Sequence, residues 1–312
     1  MWTIVSTWAM SEVGVREGAK FLDSVSDSGL CTEKIIANVE NNPDFDSVGF
    51  GGFPNEQGEV ESDAAFMDGN SLTFGAVTGL KGIANPIKVA KQLSTLSMNN
   101  FLSGLGAMEY ARENGFEEKE LLTEKTYARF SVRSRDGSAD ASKAAGNDTV
   151  GTVCLDRDGT ICAGTSTTGL MLKKRGRVSD SALPGAGLYA DSDVGGAVCT
   201  GLGEEIMKGC LAYEAVRLMK EGRTAQQACE ESLKQLALRL KRNRQTDTPM
   251  AIIAVDKSGT WGAATVDQAF SFVVATAEDP EPRIFVCRSM DEAGEHIQLT
   301  QAPRIQGEET LG

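Results

Sequence analysis

Five segments rich in hydroxyl groups and glycine dominate the middle of the chain. They are NDTVG (147–151), GTSTTG (164–169), RGRVSD (175–180), PGAG (184–187) and CTGLGEE (199–205). Each segment alone is typical of a turn or a strand end, where glycine and short polar side chains are common. Their concentration in one part of the chain, at the ends of predicted strands, indicates a functional site.

A single histidine, His296, limits the catalytic chemistry that is open to this chain. Ser-His-Asp and Cys-His catalysis need a histidine base, and zinc hydrolase sites usually need two or three imidazoles. His296 follows the polar run Asp291–Glu295 near the C-terminus, where a solvated surface histidine is the expected interpretation. Any hydrolase formed by this sequence therefore needs another base.

The composition excludes several classes of partner and cofactor. The 31 Lys and Arg against 44 Asp and Glu give a net charge of −13, which argues against nucleic acid and anionic membranes as partners. No apolar run approaches the ~18 residues of a membrane span. The seven cysteines form no C-x-x-C pair and no metal-ligand spacing, so neither a metal nor another cofactor is predicted. Scattered cysteines and a start without signal-peptide features predict a cytoplasmic protein.

Hydrophobic periodicity predicts strands and helices in one domain, without a clear linker. Strands are predicted at Trp2–Thr7, Ser47–Gly52, Ala64–Asp68, Ser71–Thr78, Thr149–Asp156, Thr160–Thr165, Ala251–Asp256, Gly259–Val266, Phe270–Thr276 and Ile284–Arg288. Helices are predicted at Val13–Leu22, from near Cys31 to Asn42, and at Pro86–Leu96, Gly106–Asn114, Glu204–Glu221 and Thr224–Arg239. Residues 130–147 are polar and without periodicity, which predicts a mobile surface segment.

The central segments, together with others upstream, resemble a known family. STWAMS (6–11), SVGFGGFPNEQG (47–58), DAAFMDG (63–69), KVAKQL (88–93) and the run RGRVSDSALPGAGLYADSDVGGA (175–197) fit the same pattern. The chain resembles the N-terminal-nucleophile hydrolases of the glycosylasparaginase family, which are related to plant-type asparaginases and isoaspartyl peptidases. The resemblance covers nearly the whole chain. It implies an α+β fold, a four-layer αββα sandwich, in a single domain over residues 1–312.

The same resemblance implies an inactive precursor that cuts itself between Asp148 and Thr149. The products would be an α-chain of residues 1–148 and a β-chain of residues 149–312, which pair into a homodimer of αβ units. Thr149 then becomes the nucleophile, and its new α-amino group, with an ordinary pKa of about 7.7–8.0, supplies the base. This chemistry removes the need for a histidine, and it predicts that activity falls at low pH on a single protonation.

Three further residues are expected to act in catalysis because of the resemblance. Thr167 would hydrogen-bond Thr149 and tune its amine. Thr200 and Gly201 match an oxyanion hole, which one residue would build with a hydroxyl and the other with a backbone N–H. Without the resemblance, the two threonines would be interpreted as strand-end hydroxyls that bond to the backbone.

Substrate binding is expected to depend mainly on two charged residues. Arg177 matches the residue that grips the α-carboxylate of the substrate, and Asp180 matches the partner of its α-ammonium. The remaining pocket residues implied by the resemblance are Val178, Ser179, Leu202, Gly203 and the aromatic wall Trp8. Taken alone, Arg177 would be interpreted as a surface cation and Trp8 as a core residue.

Two positions depart from the pattern of the family. Asn147 stands where members commonly have histidine before the cleaved pair, and we expect this change to alter the rate of autocleavage. Phe53 is a bulky aromatic where lysosomal relatives have a small polar residue. We therefore expect Phe53 to change the shape of the pocket entrance.

The predicted activity is hydrolysis of the side-chain amide of asparagine derivatives that carry free α-amino and α-carboxyl groups. The preferred substrate is predicted to be N4-(β-N-acetylglucosaminyl)-L-asparagine, which Asp148, the turn GGFPN (51–55) and YADSD (189–193) favour. The alternative is an isoaspartyl peptidase and L-asparaginase with the same chemistry. A non-catalytic amino-acid-binding protein is a second alternative, which the intact set of predicted catalytic residues disfavours.

Overall fold

The computed structural model describes residues 1–135, 149–242, 248–289 and 300–301. Its strands are β1 (Thr3–Thr7), β2 (Ser62–Asp68), β3 (Thr73–Leu80), β4 (Phe101–Ser103), β5 (Val150–Leu155), β6 (Ile161–Thr167), β7 (Leu188–Asp191), β8 (Gly195–Gly201), β9 (Met250–Asp256), β10 (Trp261–Thr265), β11 (Phe270–Thr276), β12 (Arg283–Cys287) and β13 (Thr300–Gln301). Its α-helices are α1 (Glu12–Ser24), α2 (Ser28–Glu40), α3 (Pro86–Leu93), α4 (Gly104–Glu113), α5 (Glu124–Arg135), α6 (Gly203–Gly209), α7 (Leu211–Lys220) and α8 (Ala225–Lys241). This content makes the fold α+β, as predicted.

The strands form two sheets. The larger sheet has the order β13-β12-β11-β1-β5-β6-β2-β3-β4, and its neighbours run antiparallel except for the parallel pair β3 and β4. The smaller sheet has the order β10-β9-β8-β7 and is antiparallel throughout. Strands β1, β5 and β6 are buried along their whole length, which is expected of strands that are covered on both faces.

The two sheets pack face to face through small and branched side chains. A Cβ at Gly196 of β8 would lie 2.9 Å from side-chain atoms of Val153 and Ile161 in the larger sheet. In the other direction, a Cβ at Gly151 would lie 3.0 Å from Val198. Glycine at these positions therefore permits the close approach of the sheets, and their buried side chains share one hydrophobic core with α7 and α8.

Helices pack against both sheets. In the larger sheet, α2 packs on β5 and β6, and α3 packs on β2 and β3. Helix α1 lies close against α2 because Gly14 and Gly18 face Ile35, and a Cβ at either glycine would lie 2.8 Å from that residue. In the smaller sheet, α7 packs on β8, and α8 packs on β9 and β10. Helices therefore pack on both sheets.

Most of the predicted elements are confirmed, but the segment 47–52 is not a strand. It forms turns, in which Gly49 and Gly51 have φ angles of 58° and 89°. A Cβ at Gly49 would lie 2.2 Å from the carbonyl oxygen of Glu40, so the chain turns tightly over the end of α2. Strands β4, β7 and β8 were not predicted, because they are short or glycine-rich and give little alternation of apolar and polar residues.

The single helix predicted over Glu204–Glu221 is wrong, because the chain forms two helices there. Cys210 separates α6 from α7 with φ 44° and ψ 51°, a left-handed conformation that ends the first helix. The predicted mobile segment is wrong for residues 130–135, which belong to α5. Residues 136–147 lie outside the described residues, as do Asp148 and His296. The last predicted helix is confirmed, and Thr224 at its start forms a capping box with Gln227.

The seven cysteines are free thiols, and six of them are buried as small core residues. Cys210, at the junction of α6 and α7, is the exposed one. None of the described helices has the length and apolarity that crossing a membrane would require.

Several strand ends meet at one edge of the interface between the sheets. Thr149 directly precedes β5, and the register pairs Ser6 with Thr152 and Val150 with Ser166. Thr149 therefore lies beside the ends of β1 and β6. In the facing sheet, β8 ends at Gly201, and Thr200 reaches across to Thr149.

Candidate active site

Thr149 is buried at this edge, with only 4% of its surface exposed. Its main-chain N–H donates to the hydroxyl of Thr200 over 3.1 Å. Its own hydroxyl lies 3.2 Å from the hydroxyl of Ser181. The nitrogen and the hydroxyl of Thr149 are thus both enclosed in one polar cluster within a largely apolar core.

The carbonyl group of Thr149 is held by Thr7 at the end of β1. The Thr7 hydroxyl donates to the Thr149 carbonyl oxygen over 2.5 Å and accepts from the N–H of Gly151 over 2.8 Å. A side chain thereby continues the β1–β5 pairing beyond its last backbone pair. Thr7 was not predicted as a site residue, although it belongs to the segment STWAMS (6–11), which fits the family pattern.

Thr200 accepts two hydrogen bonds at one oxygen. One comes from Thr149, and the other comes from the indole N–H of Trp8 over 3.2 Å. Both contacts use lone pairs of the Thr200 oxygen. The ring of Trp8 packs edge-on against Phe270 with 4.9 Å between the centroids, which fixes the indole in place.

Gly201 follows Thr200 in a conformation that only glycine adopts readily. Its φ angle is 131°, and a Cβ there would lie 2.3 Å from the carbonyl oxygen of Pro249. The next residue, Leu202, donates its N–H to the same Pro249 oxygen over 2.8 Å. Thr200, Gly201 and Leu202 therefore stand in a rigid turn between β8 and α6.

Thr167 lies opposite Thr149 if the β5–β6 register is continued by one residue beyond Val150 and Ser166. Its hydroxyl donates to the carbonyl oxygen of Ser47 over 3.4 Å and accepts from the N–H of Gly169 over 2.9 Å. The hydrogen bond expected between Thr167 and Thr149 is not among the contacts of the described residues. In this structure the Thr167 hydroxyl is instead hydrogen-bonded to the turns around Ser47 and Gly169.

Arg177 is paired with a carboxylate that sequence reasoning missed. Its Nε and Nη2 donate to Glu204 over 2.8 Å and 2.7 Å, and this pairing lowers the pKa of Glu204. The guanidinium also lies over Gly169, where a Cβ would be 3.1 Å from Nη1. Glu204 occupies one edge of the guanidinium, while the end formed by Nη1 and Nη2 offers a second two-pronged donor.

Asp180 is the most unusual charged group of the cluster. It is 1% exposed, and its Oδ2 has no hydrogen-bond partner among the described residues. Burial raises the pKa of Asp180 to about 7, and nearby Arg177 opposes that rise only in part. Gly203 makes room for this carboxylate, since a Cβ there would lie 2.7 Å from Oδ1. A buried carboxylate oxygen of this kind is suited to receive a cation.

Ser179 and Val178, two of the predicted pocket residues, have different surroundings. The N–H and the hydroxyl of Ser179 donate to Oδ2 of Asp63 in β2 over 2.7 Å and 2.9 Å, so this serine anchors the loop to the sheet. Val178 is half-buried and lines a cavity of about 470 Å³ with Glu61, Gly176 and Leu105. Of the predicted pocket residues, Ser179 thus has the clearest structural task.

Comparisons with known proteins identify the family of this chain. The asparaginase family model matches residues 4–282. An N(4)-(beta-N-acetylglucosaminyl)-L-asparaginase of Elizabethkingia miricola is 34% identical over 276 residues, 87% of this chain and 80% of that protein. The isoaspartyl peptidases/L-asparaginases of Mus musculus and Homo sapiens are each 35% identical, over 79% and 84% of this chain and 75% and 82% of theirs. This chain belongs to the asparaginase family.

The chain is therefore an enzyme of a family of amidohydrolases, as the resemblance implied. Its relatives carry two different substrate names, so family membership alone does not choose the leaving group. In this member of the asparaginase family, Phe53 does not shape a pocket entrance as expected, so it does not indicate which leaving group is preferred. The ring is 2% exposed and lies 5.2 Å from the guanidinium of Arg129, so it packs inside the protein and offers no exposed surface to an entrance.

Proposed function

We propose that this chain is a self-cleaving N-terminal-threonine hydrolase. Cleavage of the Asp148–Thr149 bond would release an α-chain of residues 1–148 and a β-chain of residues 149–312. The observation that carries the proposal is the position of Thr149, whose nitrogen and hydroxyl lie together in a buried cluster beside Thr200. After cleavage, that nitrogen is an α-amine next to the hydroxyl that it must activate.

The proposed reaction uses Thr149 twice, as base and as nucleophile. The neutral α-amine takes the proton of the Thr149 hydroxyl, whose oxygen attacks the side-chain amide carbon of the substrate. The Thr200 hydroxyl and the N–H of Gly201 stabilise the negative charge that develops on the carbonyl oxygen. The C–N bond then breaks, the leaving amine takes up the proton, and water hydrolyses the β-aspartyl ester on Thr149.

Recognition of the aspartyl part is proposed to use Arg177 and Asp180. The α-carboxylate of the substrate would bind the Nη1–Nη2 end of Arg177, while Glu204 keeps the other edge and holds the guanidinium in place. The α-ammonium would bind the unpartnered Oδ2 of Asp180. Val178, Leu202, Gly203 and Trp8 remain proposed pocket residues, and Thr167 is proposed to bond the α-amine once it is formed.

The proposed substrate is N4-(β-N-acetylglucosaminyl)-L-asparagine. The second candidate is the activity of an isoaspartyl peptidase/L-asparaginase, which the names of several relatives favour. The ratio of kcat/KM for the glycosylated asparagine to kcat/KM for β-aspartyl dipeptides distinguishes the two activities. An excess of about tenfold or more, or about 1.4 kcal/mol of transition-state binding, is expected for the first activity. A preference for the dipeptides would transfer the proposal to the second.

The finer architecture is proposed as a four-layer αββα sandwich in one domain. The support is the packing of helices on one face of each sheet and of the sheets on each other. The homodimer of αβ units and the cytoplasmic localisation stay predictions from the sequence.

Substitution of Thr149 tests the proposal. Thr149→Ala should abolish both self-cleavage and hydrolysis, because no hydroxyl remains for either acyl transfer, whereas Thr149→Ser should keep part of both. Denaturing gels follow the conversion of the full-length band into two bands of about half its size. A purified Ala variant that still hydrolyses the substrate would overturn the covalent mechanism. A wild type that stays intact and inactive would support a non-catalytic binding protein.

A further inference from the structure

The nucleophile hydroxyl lies within hydrogen-bonding distance of a residue without a role so far. The Oγ atoms of Thr149 and Ser181 lie 3.2 Å apart, and Ser181 is fully buried at 0% exposure. The two buried hydroxyls are therefore placed to form a hydrogen bond, in which either can be the donor.

Ser181 is held in place by its own surroundings. It lies in the short 3-10 turn Asp180–Ala182. Its carbonyl oxygen accepts a hydrogen bond from the hydroxyl of Thr165 in β6 over 2.5 Å. Gly187 closes over the turn, since a Cβ there would lie 2.4 Å from the carbonyl oxygen of Asp180 and 2.9 Å from Cα of Ser181. The turn cannot shift without breaking these contacts, so the Ser181 hydroxyl is a fixed partner for Thr149.

The two reactions proposed for Thr149 place different demands on its hydroxyl. In hydrolysis, the α-amine of Thr149 is present and takes the proton. In self-cleavage, the same nitrogen is still an amide, which is not a base, and its N–H is donated to Thr200. The hydroxyl must then be oriented by another group while it attacks the carbonyl carbon of Asp148.

We propose that Ser181 is the positioning residue for self-cleavage; this inference rests on the function proposed above. Its hydroxyl holds the Thr149 oxygen in the conformation from which it attacks. In that step the Thr149 Oγ–carbon bond forms, the carbon–nitrogen bond of the Asp148–Thr149 peptide breaks, and the proton moves from the oxygen to the nitrogen. Water then hydrolyses the ester and returns the hydroxyl. Ser181 keeps its own proton throughout.

The proposal predicts an asymmetry between the two reactions. Once the α-amine exists, it binds the proton of the Thr149 hydroxyl itself, so hydrolysis depends much less on Ser181. Ser181→Ala should slow self-cleavage about tenfold or more, which is about 1.4 kcal/mol. The matured fraction of the same variant should keep kcat within about threefold of the wild type and an unchanged KM.

Two variants separate positioning from a structural effect. Ser181→Cys fills nearly the same space but is a weak hydrogen-bonding group, so it should cleave as slowly as Ser181→Ala. Ser6→Ala is the matched control, because Ser6 is a buried serine that bonds the backbone of Gly151 and the hydroxyl of Thr152 without touching Thr149. It should cleave at the wild-type rate, even if its melting temperature falls as much as that of Ser181→Ala.

The test is a time course of precursor conversion on denaturing gels, followed by kcat and KM of the matured enzymes. Cleavage of Ser181→Ala within twofold of the wild type would overturn the proposal. So would restored cleavage in Ser181→Cys, equal slowing in Ser6→Ala, or equal losses in cleavage and in kcat. These results differ from failure of the proposed function, which would appear as a wild type that does not cleave at Thr149.

Discussion

Replacing Asp180 with asparagine removes a buried charge while keeping the size of the side chain. Oδ2 of Asp180 has no hydrogen-bond partner among the described residues, and we expect it to bind the α-ammonium of the substrate. A hydrogen bond to a charged group contributes about 1.5–3 kcal/mol. The variant should therefore lose about 10- to 150-fold in kcat/KM at a pH where the wild-type carboxylate is ionised.

The pH profile gives this prediction a second readout. Burial raises the pKa of Asp180 to about 7, and binding of an ammonium needs the ionised form. The α-amine of Thr149 must also be neutral, so two protonations lower the rate as the pH falls. On the acid side, log kcat/KM should approach a slope of about two in the wild type and about one in Asp180→Asn. This replaces the single protonation that was predicted from the sequence.

The assay measures kcat/KM of the matured enzymes on one asparagine derivative across the acid and neutral range. Asp267→Asn is the matched control, because burial raises the pKa of Asp267 to about 6, and this residue is not part of the proposed site. The control should keep the steeper slope. Wild-type activity in Asp180→Asn, or an unchanged steep slope in that variant, would show that Asp180 does not bind the α-ammonium.

Three other predictions follow from the same geometry. Arg177→Lys should lower kcat/KM for glycosylated asparagine and for β-aspartyl dipeptides by the same factor, because a point charge replaces a two-pronged donor at a shared contact; unequal losses would count against that contact. Asp180→Asn should stabilise the ligand-free protein at pH 8 by about 1–3 kcal/mol in urea unfolding. Because the folded state raises the pKa of Asp180 to about 7, the free energy of unfolding of the wild type falls as the pH rises through that value. The difference in stability between Asp180→Asn and the wild type should therefore vanish below a pH of about 4. Cys210→Gly should stabilise the protein by about 1 kcal/mol, because the left-handed conformation at the α6–α7 junction favours glycine; a lower denaturation midpoint would contradict this.

Local patterns were enough to predict the strands that carry the nucleophile. The hairpin of β5 and β6 follows from two apolar runs around Asp158 and Gly159, and the cap at Thr224 follows from short-range spacing. The break at Cys210 could not be predicted, since the apolar pattern of a helix continues across it. The tight turn at Gly49 depends on its close contact with Glu40 at the end of α2, which the pattern of residues around Gly49 does not reveal.

The residues of the site were predicted through the resemblance, but the contacts that hold them in place were not. The pairing of Arg177 with Glu204 joins residues far apart in sequence, as does the anchoring of Ser179 by Asp63. Ser181 is one serine in a polar segment, and nothing in its sequence position indicates that it meets Thr149. Such contacts depend on tertiary packing, which periodicity and spacing do not encode.

The most direct test of the central claim is N-terminal sequencing of the fragments of the active enzyme. The second fragment should begin Thr-Val-Gly-Thr, the sequence from Thr149 onward. An active enzyme whose second fragment begins at any other residue would contradict the choice of Thr149 as nucleophile.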